Sequence, residues 1–474
     1  MLATTDCCRS MAAAHATLMH PPPPPAAIAK HSATRSSSWK ILGFLLAIAF
    51  LVSCFFSSQL GYFHGMAAQA NAGDPLDQAG QQKRIRKVSG EHVAAQYGDR
   101  NSTSSSKAAH GYAAAFDVGR IAKRCDYSSG KWVYDPSWEP PYNESCADIF
   151  KGWNCIKNRK CHARSHLQWR WQPTECDLPK LDALAFLTRF RNKSIGFVGD
   201  SLNRNMYVSL VCTLKSVARG FKKLRQFGAD RGVNFVHYNL TVAYHRTNLL
   251  AQYARWKAKT PGPLEDLGYD DGYRVDVDVP DNKWIQAPRV HDVLILNTGH
   301  WWAAPDKFDP VSSPMLFFED GKPILPPKSP EEGLDLVLKH MLHFVDAKMQ
   351  STAGIKFLRT QSPRHFEGGD WKDGGQCHRM EPLFVGEVDR FFNGQGFNGE
   401  VRNINKHLIQ AVKGTSFHLL DITPMSELRA DAHPSISAGK LHEDCMHWCL
   451  PGVTDFWNDM FFALFLDLDN YSTA

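Results

Sequence analysis

Two segments far apart in this chain carry a serine, a histidine and a carboxylate in settings that would present them to one another. The first reads Ser194-Ile-Gly-Phe-Val-Gly199-Asp200-Ser201-Leu202-Asn-Arg204-Asn, an apolar run that ends in small residues and then opens a helical pattern. The second reads Asp444-Cys-Met-His447-Trp448-Cys449-Leu-Pro-Gly452. These are the parts of a nucleophilic acyl-transfer site, with Ser201 as nucleophile, His447 as general base and Asp444 as the carboxylate that orients the imidazole. A serine at a strand-to-helix turn lies at the carboxyl edge of a sheet. There the first N–H groups of the helix lack intrahelical partners and can face a developing oxyanion. Asp444 and His447 are three apart, the spacing that puts two side chains on one face of a helical turn. The same Asp-x-x-His would serve as half of a metal site or as a helix cap. Two flanking cysteines and the Leu-Pro-Gly that follows make it a pinned loop suited to holding a histidine.

Further candidates cluster around the same edge. Gly199 and Asp200 belong to the serine turn, and Arg204 follows one helical turn later. Asn297-Thr-Gly-His300-Trp301-Trp302 directly follows another apolar run, so Asn297 can offer its side-chain amide to an oxyanion. Trp301 and Trp302 can form a sugar-stacking wall or serve as two core tryptophans in a turn. Arg204 and Arg359 can hold polar groups of a substrate or form structural salt bridges. This chemistry calls for no metal and no bound cofactor.

The elements that must position these residues are legible from residue 180 onward. A short helix over Ala183 to Leu187 precedes the Ser194 to Val198 strand. The helix after Ser201 carries Leu202, Met206, Leu210 and Leu214 at fourfold spacing. Apolar strands are expected at Asp292 to Asn297, Ile355 to Thr360 and Phe417 to Ile422, with a helix from Leu334 to Val345 between two of them. Short apolar strands alternating with helices predict an α/β fold with a doubly wound parallel sheet. Such sheets bind ligands beyond the carboxyl ends of their strands, where Ser201 and Asn297 would sit. A block rich in cysteine and tryptophan precedes them, over about residues 121–180. It is too short to hold much core of its own and needs disulfides to itself or to the following domain.

The chain has 474 residues, 43% hydrophobic and 22% charged, which is globular composition for one large or two ordinary domains. Its 54 basic and 48 acidic residues are interspersed, and Lys83-Arg84-Ile-Arg86-Lys87 is the compact basic cluster. A nucleic-acid partner is not indicated. Residues 1–40 hold Pro21 to Pro25 among alanine, serine and histidine, the composition of a disordered tail. No residue between Lys40 and His64 is charged, so residues 41–63 are long enough to cross a bilayer as one helix. A cleaved signal peptide ending at Ala68-Gln69-Ala70 is the competing reading. The long preceding segment and the length of the apolar run favour an uncleaved signal anchor. Arg9, Lys30, Arg35 and Lys40 precede the span, which leaves the amino terminus cytosolic and the bulk of the chain luminal. Residues 64–120, rich in Ala, Gly, Gln and Ser, read as a flexible stem. Nine of the twelve cysteines follow the span without paired zinc spacing, so disulfides are expected, with one thiol left over. Sequons at Asn101, Asn143, Asn192, Asn239 and Asn470 all fall on the luminal side.

Four blocks between Cys125 and Gly452 together resemble the plant trichome birefringence-like family. They are Cys125-Asp-Tyr with Trp169-Arg-Trp171, then Gly199-Asp-Ser-Leu-x-Arg-Asn205, then Arg359-Thr-x-Ser-Pro-x-His365-Phe with Gly374-Gly-x-Cys377, and lastly Asp444-Cys-x-His447-Trp-Cys-Leu-Pro-Gly452. The resemblance implies an SGNH-hydrolase-like fold over residues 181–474 behind the disulfide-rich subdomain, with Ser201, His447 and Asp444 as triad. It implies Golgi O-acetylation of a cell-wall polysaccharide, xylan most often, by double displacement through an acetyl-serine. The acetyl donor would be a co-substrate, and an acetyl-delivering membrane protein an expected partner. It further implies disulfides among eight cysteines, assigned as Cys125 with Cys176, Cys146 with Cys212, Cys155 with Cys449 and Cys377 with Cys445. The same triad would serve an acetylesterase, and a non-catalytic wall-polysaccharide-binding protein would use the aromatic block instead. The chain departs from the family at Asn158-Arg-Lys-Cys161-His162, where a different turn is usual and where Cys161 becomes the unpaired ninth cysteine. It departs again at Met206, where a polar residue is usual.

Overall fold

The computed structural model describes residues 125–472 apart from 259–260, 304–306, 350–353, 394–395 and 437–441. The tail, the apolar span, the stem and the sequon at Asn101 lie outside the described residues, as does the side chain of Asn470. Among the described residues no helix is long and apolar enough to cross a membrane.

Seven strands form the central sheet. In spatial order they are β13 (His418–Leu420), β12 (Ile355–Arg359), β9 (Val293–Leu296), β3 (Ser194–Gly199), β6 (Leu240–Arg246), β5 (Arg231–Phe235) and β4 (Phe221–Leu224), numbered along the chain. The first five are mutually parallel. Taken in the order of the chain, these five lie 2-1-3-4-5 across the sheet, the doubly wound order in which growth reverses between the first and third strands. Those strands are β3 and β9, so the crevice of this sheet falls between the ends that carry Ser201 and Asn297.

Burial on both faces explains the continuous apolar runs. Ile195, Phe197, Val293, Ile295 and Phe357 pack toward the helices Ala183–Arg189, Ser201–Val217 and Val453–Ser472. Their neighbours Val198, Leu294, Leu296 and Leu358 pack toward the helices Pro330–Met349 and Gly396–Val412. Alternate residues of one strand therefore serve two layers, which is the period of two a strand imposes.

The expected all-parallel sheet is corrected in two places. β4 and β5 add antiparallel strands beyond β6. A second, four-stranded sheet, not anticipated from the sequence, joins β7 (Ala251–Lys257), β8 (Asp271–Pro280), β10 (Met315–Glu319) and β11 (Lys322–Pro323). In β8 Val275 and Val277 are buried while Arg274 pairs with Asp276, the alternation of a strand with one wet face.

The front block contains the hairpin pair β1 (Gly130–Tyr134) and β2 (Trp169–Pro173), yet it has no core separate from the rest. Trp132, Trp153 and Trp171 belong to the same buried cluster as the first helix layer. The Trp132 indole donates to the Met425 carbonyl at 2.7 Å and meets Phe456 edge-on. Bridges join Cys125 to Cys176, Cys146 to Cys212, Cys155 to Cys449 and Cys377 to Cys445, and Cys161 stands outside them. Two of the four tie the front block to distant parts of the main fold. The sequon residues Asn143, Asn192 and Asn239 are exposed.

Two buried carboxyls of the last helix take part in this docking. Asp455 accepts from the Tyr142 and Ser209 hydroxyls, and Asp459 accepts from the Leu181 N–H at 2.8 Å. Burial raises Asp459 to about 8. The folded chain therefore holds a proton that the unfolded chain has released, and stability falls as pH rises from about 4 to about 8. Asp459→Asn keeps the acceptor and removes the ionisation. Its melting temperature should exceed that of the parent at pH 8, with the gap closing toward pH 4; equal pH dependence of the two chains would refute this.

Candidate active site

The turn after β3 is built around a glycine. Gly199 adopts φ 150°, and a Cβ there would stand 1.9 Å from the Asn297 side-chain oxygen, so no other residue fits. Asp200 follows as N-cap of the helix Ser201–Val217, accepting from the Leu202 N–H at 3.0 Å. Tyr244 donates its hydroxyl to the Gly199 and Asp200 carbonyls, fixing the peptide planes that lead to Ser201. Asn203 donates to the carbonyls of Val198 and Ile295, binding the helix start across β3 and β9.

Ser201 Oγ lies 2.8 Å from His447 Nε2. His447 Nδ1 lies 3.0 and 3.1 Å from the two Asp444 carboxylate oxygens. A carboxylate only accepts, so Nδ1 carries the proton and Nε2 is left free to accept from the serine hydroxyl. Asp444 is nearly fully buried, while Ser201 and His447 are partly exposed.

The Asp444-His447 segment is a loop, as its flanking cysteines and Leu-Pro-Gly suggest, and not the helical turn that its spacing also fits. Asp444 pairs with Ser435 in a short antiparallel bridge, and its side chain also accepts from the His447 N–H at 3.1 Å. That local bond replaces the helical one, as aspartate side chains do in turns. The segment is pinned further by the bridges at Cys445 and Cys449.

Several supports were not singled out from the sequence. Asn205 accepts from the Trp448 N–H at 2.8 Å and donates to the Trp448 carbonyl at 3.3 Å, joining the serine helix to the histidine loop. His433 Nδ1 meets the His447 carbonyl at 2.7 Å, and His433 is in turn 2.7 Å from His365. Trp153 of the front block lies against the His447 ring, with centroids 5.2 Å apart. Asn205 sits inside the Gly199 to Asn205 motif, which was its one available signal.

Other candidates fall differently. Asn297 is fully buried, and its side chain is engaged with Asp200, donating at 2.9 Å and accepting from the Asp200 N–H at 3.2 Å. Asn297 thus supports the serine turn through its two bonds to Asp200, which take one of its two amide hydrogens. Arg204 lies over the Trp153 ring at 4.7 Å, with burial lowering its pKa. Arg359 is buried, donates to Asn203 and is lowered to about 10 by desolvation, against the pull of Asp200. Neither arginine forms an ion pair among the described residues. Trp302 is a core residue, donating to Thr298 and stacked on Phe317, whereas Trp301 is partly exposed. His300, beside the loop of His447, is held neutral at about 3 by desolvation and by Arg364.

Residues 178–464 match the model of PC-Esterase, a GDSL/SGNH-like acyl-esterase family found in Pmr5 and Cas1p, and residues 123–177 match the PMR5 N-terminal domain. The chain belongs to this PC-esterase family. It is 60% identical over 348 residues to the protein trichome birefringence-like 13 of Arabidopsis thaliana, covering 72% of this chain and 84% of that one. Trichome birefringence-like 12 of the same plant is 43% identical, covering 72% and 85%. Xyloglucan O-acetyltransferase 2, also from Arabidopsis thaliana, is 32% identical, covering 74% and 84%.

Asn205→Asp keeps the acceptor for the Trp448 N–H and loses the donor to its carbonyl. One lost buried hydrogen bond, about 1–3 kcal/mol, should lower kcat for a small acetyl ester roughly tenfold or more, with KM little changed. An unchanged kcat would show that the clamp does not position His447.

Proposed function

We propose that the chain is a polysaccharide O-acetyltransferase acting on a plant cell-wall glycan through an acetyl-enzyme at Ser201. The observation that carries this reading is the continuous hydrogen-bonded chain from Ser201 through His447 to Asp444 at the carboxyl edge of the sheet. Membership of the family and likeness to a xyloglucan O-acetyltransferase support the transfer of acetyl to a wall polysaccharide. Xylan and xyloglucan are the first acceptors to test.

Ser201 Oγ attacks the acetyl carbonyl of the donor while His447 Nε2 takes the hydroxyl proton, and the tetrahedral oxyanion faces the N–H groups at the helix start. Collapse expels the donor's leaving group, which receives that proton from His447. A glycan hydroxyl then gives its proton to Nε2 and attacks the acetyl-serine. The second collapse returns the proton to Ser201 and leaves the acetyl on the sugar oxygen. Asp444 keeps Nδ1 protonated throughout and offsets the positive charge that His447 gains in each half. Water in place of the sugar hydroxyl would give an acetylesterase with the same residues. Residues 41–63 would anchor the chain in the Golgi membrane with these groups luminal; four disulfides suit that oxidising side. An acetyl-delivering membrane protein would supply the donor there.

Incubation with an acetyl ester and deacetylated wall oligosaccharides, read by mass spectrometry, tests the proposal. The wild-type chain should add an acetyl mass to a glycan, and Ser201→Ala should lose that activity by about 10⁴-fold or more. Asp444→Asn should lose a comparable factor, because its amide no longer holds the required tautomer. Acetate release without acetylated glycan would favour the esterase. Full transfer by Ser201→Ala would sink both.

A further inference from the structure

We propose that the cleft beside the nucleophile's strand is an acceptor subsite for a glycan bearing hexuronate carboxylates. This assignment rests on the acetyl-transfer reading of Ser201 and names the acceptor chemistry of that site. The cleft has a volume of about 470 Å³ and opens between the loops that follow β6 and β9, well within the size of ligand pockets. It is linked to the nucleophile's turn through the backbone of β6. Arg246 is the register partner of Gly199 across the β3 and β6 pair, and the Thr247 N–H donates to the Gly199 carbonyl at 2.9 Å. The Thr298 hydroxyl donates to the Asn248 carbonyl at 3.3 Å, so the two loops are tied together along the cleft floor.

Three cations line this cleft, Arg246, Lys283 and Lys307, and none forms an ion pair among the described residues. The lining carboxylate, Asp230, already faces Arg231 at 3.5 Å. Lys307 is partly buried and held in place without a counter-charge. Its ammonium donates to the Tyr253 hydroxyl at 2.7 Å and lies 4.6 Å from the centre of that ring and 5.5 Å from Trp301. Asn248 donates to the same Tyr253 oxygen, which fixes the phenol as an acceptor for the lysine. The partly exposed Lys307 ammonium, set among aromatic faces and a phenol, is open to an anionic ligand. Trp301 adds an apolar face at the same wall, suited to the C–H face of a sugar ring. A ring that stacks and also carries a carboxylate can use both Trp301 and the three cations, of which Arg246 and Lys283 are exposed, whereas a neutral sugar uses the aromatic wall alone. Such a carboxylate can belong to a uronic-acid backbone or to a uronic-acid branch on a neutral backbone.

The test uses the full-length chain. Dissociation constants are measured for Ser201→Ala protein with oligogalacturonide, with its carboxyl-reduced counterpart, and with xylo-oligosaccharides bearing or lacking glucuronic acid branches. At least one carboxylate-bearing member of these pairs should bind about tenfold or more tightly than its neutral partner, a difference that shrinks with added salt. Whichever pair shows the difference identifies backbone or branch as the source. Arg246→Gln/Lys307→Gln should abolish the preference. Equal binding of both neutral and acidic members, a preference that survives the double substitution, or competition by coenzyme A with no effect of the glycan's carboxylate would each overturn the assignment. Cleavage of a small aryl acetate by wild type and not by Ser201→Ala is scored separately. If it holds while the glycan preference fails, the cleft assignment alone is lost; if Ser201→Ala cleaves as wild type does, the nucleophile reading is lost whatever glycan binds.

Discussion

The site depends on one reciprocal contact, the pair of hydrogen bonds between the Asn205 side chain and the backbone of Trp448. Ser201 and His447 are 246 residues apart in the chain, and each is held locally by its own segment. Asn205 sits one turn beyond Ser201 on the same helix, and Trp448 follows His447, so the contact measures the helix directly against the loop. A side-chain amide can satisfy an N–H and a carbonyl of one residue at once, as a neighbouring strand would. Because both partners are fully buried, either group left unpaired would cost about 1–3 kcal/mol. The geometry between nucleophile and base is therefore fixed by a bond the chain cannot easily give up.

The cysteine-rich front block serves the same loop from outside. Cys155 is bridged to Cys449, two residues beyond His447, and the Leu450 N–H donates to the Trp153 carbonyl at 2.8 Å. Trp153 then lies against the imidazole and also carries Arg204 over its ring. A loop without regular structure would ordinarily fray. Here it is held by two disulfides, by the Ser435 bridge and by a buried indole, which leaves His447 limited freedom to leave the serine. The block is thus a wall of the site, and its tryptophans complete the core instead of forming a separate one.

Legibility in the sequence followed the range of the interactions. The strands around Ile195, Leu294 and Phe357 announced themselves because burial on both faces forces apolar runs, and the serine turn stood out because a glycine must precede an exposed strand-to-helix corner. The parallel order followed from the alternation of those runs with helices. β8 was passed over although Val275 and Val277 alternate with charged neighbours, since attention to fully apolar runs misses a strand with a wet face. The spacing of Asp444 and His447 fitted a helical turn equally well, and only the antiparallel bridge with Ser435 decides for a loop. The position of Asn297 at the sheet edge was legible, while its partner Asp200, 97 residues away, was not. Pairwise contacts between polar side chains leave no periodicity, so a sequence names the residues and not whom they bind.

The division of labour in the fold follows from the same sheet. The residues proposed for chemistry come from the ends of β3 and from the pinned carboxyl-terminal loop, both rooted in the doubly wound core. The cations and the exposed tryptophan of the neighbouring cleft come from Arg246 onward and from the loop around Lys307, which leads into and out of the second sheet. Insertion of that sheet between β6 and β12 leaves the parallel order undisturbed, because a connection of any length can leave a strand's carboxyl end and return at the next strand's amino end. The nucleophile and its base can then stay fixed while the segment between residues 246 and 307 changes the character of the surface beside them. The residues proposed to set acceptor choice thus belong to a different part of the chain from the one that supplies the nucleophile and its base.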